Sequence, residues 1–159
     1  MELCRLPLRG AGGEPIDFIR TIGSHGVAQL APASIDESGT TYRRSLRLHD
    51  RVVPITMREE SGEVVVESAV RLGKRDAALA GSAVARMFRL DDNLAPFYAR
   101  IAGDESLRWA AAGSGRLLAS PTVFEDVVKT ICTTNCIWAA TVRMTSALVE
   151  RGGGAFPEP

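Results

Sequence analysis

This sequence has no surplus of charge of either sign. Lysine and arginine total 19, aspartate and glutamate total 19, so the 159 residues carry no formal net charge. Phosphate binding usually shows as an excess of basic residues, so composition gives a nucleic-acid reading no support. Basic side chains do gather once, at Arg71, Lys74, Arg75, Arg86 and Arg89 with Asp76 as the only acid, and they read as solvated faces of helix ends. Long apolar runs are missing too. Nothing approaches the ~20 residues that cross a bilayer, and the N-terminal MELCRLPLRG has no apolar stretch of a secretion signal. A cytoplasmic protein with no membrane partner is expected. Cysteine and histidine are scarce, at three and two residues. Cys132 and Cys136 sit four apart on a predicted helix, with Cβ atoms about 5–6 Å apart, wider than the ~4 Å of a disulfide. His25 and His49 are remote from them in sequence, so no metal site assembles and no cofactor is expected. The thiols read as small core residues in a reducing compartment.

What is present is the 45% hydrophobic and 24% charged balance of a globular chain, with two patterns in succession. The first is β. Leu6 and Leu8 alternate with Arg5 and Arg9, and after Pro15 and Asp17 a short helix carries Phe18, Ile19 and Ile22 up to Gly23. Val27–Leu30 is a candidate strand. Tyr42, Leu46 and Leu48 alternate with Arg43, Ser45 and Arg47, and Asp50 marks a turn. Val53, Ile55 and Met57 follow; Pro54 removes a ladder donor there, which predicts an edge strand or a bulge. Ser61-Gly62 turns the chain into Glu63–Glu67, completing an antiparallel meander. Near Lys74 the period becomes helical, with Leu79, Ala83 and Met87 recurring every four residues. Shorter helices follow around Leu94–Ile101 and Ser106–Ala112, and a fourth opens at Ser120-Pro121-Thr122 with Glu125 placed for a capping box. The fifth runs from about Asn135 to Arg151, stopped by Gly152-Gly153-Gly154; the terminal AFPEP reads as a connection to a further element. The fold class is α+β, with an antiparallel sheet domain and one early helix over 1–72 and a partial helical domain over 73–159.

Between the fourth and fifth helices lies KTICTTNCIW, residues 129–138. Val123, Phe124, Val127, Val128, Ile131 and Cys132 make an apolar helical stripe, and the next step lands on Asn135. The stripe resumes at Ile137/Trp138, Thr141/Val142, Met144/Thr145 and Leu148/Val149. Thr133 and Thr134 are poor interior helix residues, and Asn is among the best N-caps. On spacing alone, TTN ends one helix and caps the next, and Trp138 belongs to the core.

The order of sheet, helices with FRLDDNLAPFY (88–98), and the helical pair SPTVFEDVVKTICTTNCIW (120–138) resembles the N-terminal half of the helix-hairpin-helix DNA glycosylase superfamily. It is most similar to the branch with 3-methyladenine DNA glycosylase II and 8-oxoguanine DNA glycosylase. The resemblance spans nearly the whole chain, and its specific part is Ser120 to about Leu148. It implies a sheet like that of the TATA-binding protein, then a helical domain whose inter-helix loop reaches damaged double-stranded DNA. Asn135 matches the family position that fills the gap left by a flipped base, an Asn in the 8-oxoguanine enzymes and an aliphatic wedge in the 3-methyladenine ones. Thr134 and Thr133 would then donate to phosphates, the other reading of their hydroxyls being buried caps; His25 and Gly26 could approach the flipped base but read better as a surface turn. The family's Gly-rich hairpin, catalytic Asp and Lys lie beyond the matched region, so no residue here is assigned to catalysis. Glu125 and Asp126 read as first-turn acids complementing the helix dipole.

Two functions from different classes follow. One is the N-terminal half of a base-excision DNA glycosylase, inert alone, whose partners are damaged duplex DNA and a missing C-terminal half or a self-association surface. The other is a non-enzymatic DNA- or protein-binding module of the same fold.

Overall fold

The computed structural model describes residues 1–49 and 51–152, so the Asp50 turn, Gly153-Gly154 and AFPEP lie outside the described residues. Strands β1 (Glu2–Pro7), β2 (Ala33–Ile35), β3 (Thr41–Leu48), β4 (Arg51–Glu60) and β5 (Glu63–Glu67) form one antiparallel sheet in the order β1-β5-β4-β3-β2. The meander is β3-β4-β5. Its β4–β5 corner is Ser61-Gly62, both at positive φ, the two-residue turn whose twist matches the flanking strands. Helices α1 (Phe18–Ile22), α2 (Lys74–Met87), α3 (Ala95–Ile101), α4 (Val123–Thr133) and α5 (Trp138–Gly152) complete the α+β fold.

Three local expectations change. Val27–Leu30 is not a strand: Gly26–Gln29 coil into a 3₁₀ turn, with Leu30 N–H donating to Val27 O and the Tyr42 hydroxyl donating to Ala28 O. Ala31-Pro32 follows, and proline has no ladder donor, so the strand starts beyond it as β2. Ser106–Ala112 becomes a second 3₁₀ turn, Arg108–Ala112. Pro54 stands on β4, the central strand, rather than on an edge. Its pairing explains the tolerance. The β4–β5 register ends at Thr56↔Glu67, and the Pro54 carbonyl instead accepts the Ser68 hydroxyl. A strand residue's N and C=O point to the same side, so Pro54 turns its missing donor toward the place where β5 has ended.

The two faces of the sheet are built differently. On one, Val64, Val66, Ile55, Met57, Tyr42 and Leu46 pack against Phe18 of α1 and Ala80, Val84, Met87 and Phe88 around α2; the Phe18 and Phe88 rings stack at 5.4 Å. On the other, Val65 is fully buried outside that core cluster. Its cross-strand neighbours Arg5 and Arg58 lay their stems over it and end in ion pairs with Glu2, Glu60 and Glu67, burying apolar carbon beneath exposed charge.

One buried pair ties the chain's first turn to its helical half. Glu14 Oε1 accepts from Arg116 Nη2 at 2.8 Å and from the Leu94 N–H at 2.7 Å, and Arg116 also donates to the Arg89 and Asp92 carbonyls. Beside it, Gly113 (φ 105°) presses on the backbone at 15–17, where any Cβ would come within 2.7 Å of Asp17 N. Among the described residues no helix is long and apolar enough to cross a membrane.

Burial alone would raise the Glu14 carboxyl, but the Leu94 N–H and Arg116 outweigh it and hold the group below its ordinary value of 4.5. Its contribution is therefore fully present above the ordinary carboxyl range and lost as pH falls through the lowered folded value. Glu14→Ala strands a buried guanidinium and should cost about 3–5 kcal/mol at pH 7. In urea titrations the gap to wild type should shrink below pH 4; a gap that widens on acidification would show that the pair does not hold this junction.

Candidate nucleic-acid interface

Helix α4 packs against the sheet through its polar side. Arg44 lies on the core face of β3, in one cross-strand row with Ala33 and Ile55, and its side chain is 1% exposed. Its Nη2 donates to Glu125 Oε2 at 2.8 Å. Glu125 Oε1 lies 2.7 Å from the Nζ of Lys129, one turn further along α4 and itself buried. Burial would raise the Glu125 carboxyl, yet Arg44 and Lys129 overrule it and keep the pKa below the usual range. For Lys129, burial wins and pulls its pKa down, against the opposing pull of Glu125. Glu125 thus anchors the helix, rather than serving only as a first-turn acid. Thr122 is the N-cap, its hydroxyl oxygen accepting the Glu125 N–H, while the Glu125 side chain leaves the capping box for Arg44.

With this side inward, the apolar stripe faces out. Val123 is 64% exposed, Phe124 78% and Ile131 62%, with Val127 also exposed. The stripe of α5 divides. Thr141 and Thr145 are buried, while Ile137, Trp138, Val142, Met144 and Leu148 are exposed. Val123, Val127, Ile131, Trp138 and Val142 therefore lack part of their packing.

The α4–α5 turn differs from a simple cap. Asn135 has φ 53°, in the left-handed region where Asn is among the better-tolerated residues. It follows Thr134, the C-cap of α4, and so ends that helix. It does not cap α5, which begins three residues later, and a positive φ is incompatible with the extended backbone of an N-cap. Thr133 Oγ1 donates to Thr130 O, and Thr134 Oγ1 to Ile131 O, both at 2.7 Å. Those protons serve the helix end instead of facing outward. The Cys132 carbonyl takes the Cys136 thiol at 3.0 Å and the Thr141 hydroxyl at 2.8 Å. Asn135 is exposed, and among the described residues its amide has no hydrogen-bond partner.

Trp138 is 49% exposed and not core. Its ring edge rests on Gly26, where a Cβ would come within 2.9 Å, which brings the start of α5 to the 3₁₀ turn after His25. His25 Nε2 is fixed 2.9 Å from Leu118 O. A groove beside it is lined by Arg86, Arg89, Asp92, Asp126 and Thr130. Both arginines there have acids, Asp126 for Arg86 and Asp92 for Arg89. Arg71, Lys74 and Arg75 are exposed, and Asp76 pairs with Arg51. Arg44 and Lys129, which anchor α4 to the sheet through Glu125, carry no signal in the helical spacing. Counting Arg44 from Tyr42 and Leu46 would have put it on the core face.

No protein-family model matches the chain, and no curated protein matches it. Among solved structures it is similar to 3-methyladenine DNA-glycosylase from Archaeoglobus fulgidus, with a TM-score of 0.70 and 21% identity over 93% of this chain and 50% of that one. The fold is that of the N-terminal half of such a glycosylase. The chain spans about half the length of the solved structure it matches.

The left-handed backbone at Asn135 makes an ordered prediction. Asn135→Gly should leave stability nearly unchanged, because glycine adopts this φ freely. Asn135→Ser, though a good N-cap residue, should cost about 1 kcal/mol. A Ser variant as stable as wild type beside a weakened Gly variant would restore the capping role.

Proposed function

We propose that this chain is the N-terminal half of a base-excision DNA glycosylase, which presents Thr133, Thr134 and Asn135 to damaged double-stranded DNA. Base removal belongs to residues outside these 159. The observation carrying this reading is the uncommitted amide of Asn135 at the exposed tip of the α4–α5 hairpin, in a fold like that of a glycosylase. Taking a base out of the stack costs a few kcal/mol, and a side chain that fills the vacated space offsets part of it. The Asn amide offers a donor and an acceptor to the stranded base. Thr133 and Thr134 shape the turn that presents it, since their protons are given to α4.

The apolar face of α4 and α5 supports the second half of the proposal. Burying a side chain such as Phe124, Ile131 or Leu148 is worth about 1.5–3 kcal/mol. That is a strong drive to pack further polypeptide there, either the rest of a larger protein or another copy. A non-enzymatic DNA- or protein-binding module uses the same face, and the zero net charge favours its protein-binding form.

The chain alone should release no base from duplexes carrying 8-oxoguanine, 3-methyladenine or uracil. Release that survives purification would locate catalysis among residues assigned here to structure. In a complete protein containing this half, Asn135→Gly keeps the turn and removes the amide. Discrimination between opposite bases should fall by about 1–3 kcal/mol with stability unchanged. Wild-type discrimination in that variant would end the DNA-reading role of Asn135.

A further inference from the structure

Two of the chain's three cysteines stand at the ends of the loop just described, enclosing Thr133, Thr134 and Asn135. On a continuous helix, residues four apart hold their Cβ atoms too far apart for a disulfide. The helix does not continue. α4 ends at Thr133, Asn135 reverses the backbone, and Cys136 Sγ comes to 3.0 Å from the carbonyl oxygen of Cys132. Thr141 Oγ1 lies 3.3 Å from the same sulfur and donates to the same carbonyl. Both thiols are free; Cys136 is exposed, whereas Cys132 is 8% exposed. An exposed cysteine whose sulfur has been drawn back to the backbone of a second, shielded one has the division of exposure of an attacking and a resolving cysteine.

We infer that Cys132 and Cys136 are a redox-sensitive thiol pair that closes into a disulfide around the Thr133–Asn135 loop, with a small-molecule disulfide of the glutathione type as oxidant. Cys136 gives up its proton and attacks one sulfur of that disulfide. The S–S bond breaks, and the first glutathione thiolate leaves and takes the proton. Cys132 then gives up its proton and attacks the Cys136 sulfur, expelling the second glutathione thiolate, which takes that proton. Two cysteine thiols are oxidised, and one small disulfide is reduced to two thiols. The new bond removes the thiol donor from the Cys132 carbonyl, leaving Thr141, and ties the loop across its base. The consequence for DNA rests on the proposed role of Asn135; the thiol chemistry does not.

The 159-residue chain, equilibrated in oxidised and reduced glutathione, alkylated and digested with trypsin, yields the peptide Thr130–Arg143, which holds both cysteines and excludes Cys4. This peptide should appear unalkylated and two hydrogens lighter, and return to the doubly alkylated form after dithiothreitol. In Cys132→Ser the reaction should stop at a glutathione adduct on Cys136. A wild-type peptide carrying only that adduct, or only alkyl groups, would overturn the pair. In the complete protein the oxidised form should bind damaged duplex severalfold more weakly, reversibly; equal binding by both forms would overturn the regulatory role. Damaged duplex should also slow alkylation of Cys136 severalfold. An unchanged rate counts against the DNA-facing loop and leaves the thiol result standing, so the two ideas fail separately.

Discussion

Arg44 fixes which way α4 faces. Its guanidinium stands in an otherwise apolar row of the sheet, and a buried cation is tolerable only with a carboxylate against it. Glu125 supplies that carboxylate, 81 residues away in sequence, and Lys129 is drawn in with it. Rolling α4 to bury Val123, Phe124, Val127 and Ile131 would leave Arg44 unpaired. That loss is about 3–5 kcal/mol and offsets a large part of what turning the exposed stripe inward would gain. Buried ion pairs are poor general stabilisers, but here the pair selects one rotation of the helix. The outward apolar face goes with that rotation.

The same constraint separates what could be read in the sequence from what could not. Alternation at Tyr42–Leu48, Val53–Met57 and Glu63–Glu67 gave the meander, because each strand buries one face and its period is local. The fourfold recurrence of Leu79, Ala83 and Met87 gave α2 for the same reason. The stripe on α4 was equally plain, yet periodicity identifies a face without saying whether it meets the sheet or points away. That choice lay in a partner far along the chain, at a position passed over because Arg44 looked like one more polar residue. Val27–Leu30 misled for a related reason: four suitable residues become a strand only if a neighbour is free to pair, and Ala31-Pro32 sets the ladder later.

At the loop, the sequence marked a helix junction but not the division of labour among its residues. Thr, Thr and Asn all compete for backbone groups, so capping was a sound reading of composition. Which carbonyls they serve depends on where the helix stops, and the positive φ at Asn135 decides that. One residue earlier or later, the threonine hydroxyls would have pointed elsewhere. Zero net charge was a weaker guide still, since balanced totals coexist with exposed Arg71, Lys74 and Arg75 and with arginines neutralised in pairs.

The carbonyls at the end of α4 are satisfied without the Asn135 side chain. Thr130 O is met by the Thr133 hydroxyl, Ile131 O by the Thr134 hydroxyl and N–H, and Cys132 O by Cys136 and Thr141. Helix ends normally recruit nearby side chains for this work, and here four other residues do it. Asn135 is held only to a backbone angle, which glycine also satisfies. The shape of the tip and the chemistry it displays are therefore set by different atoms. A side chain at this position can change what the loop contacts while the hairpin beneath it stays the same.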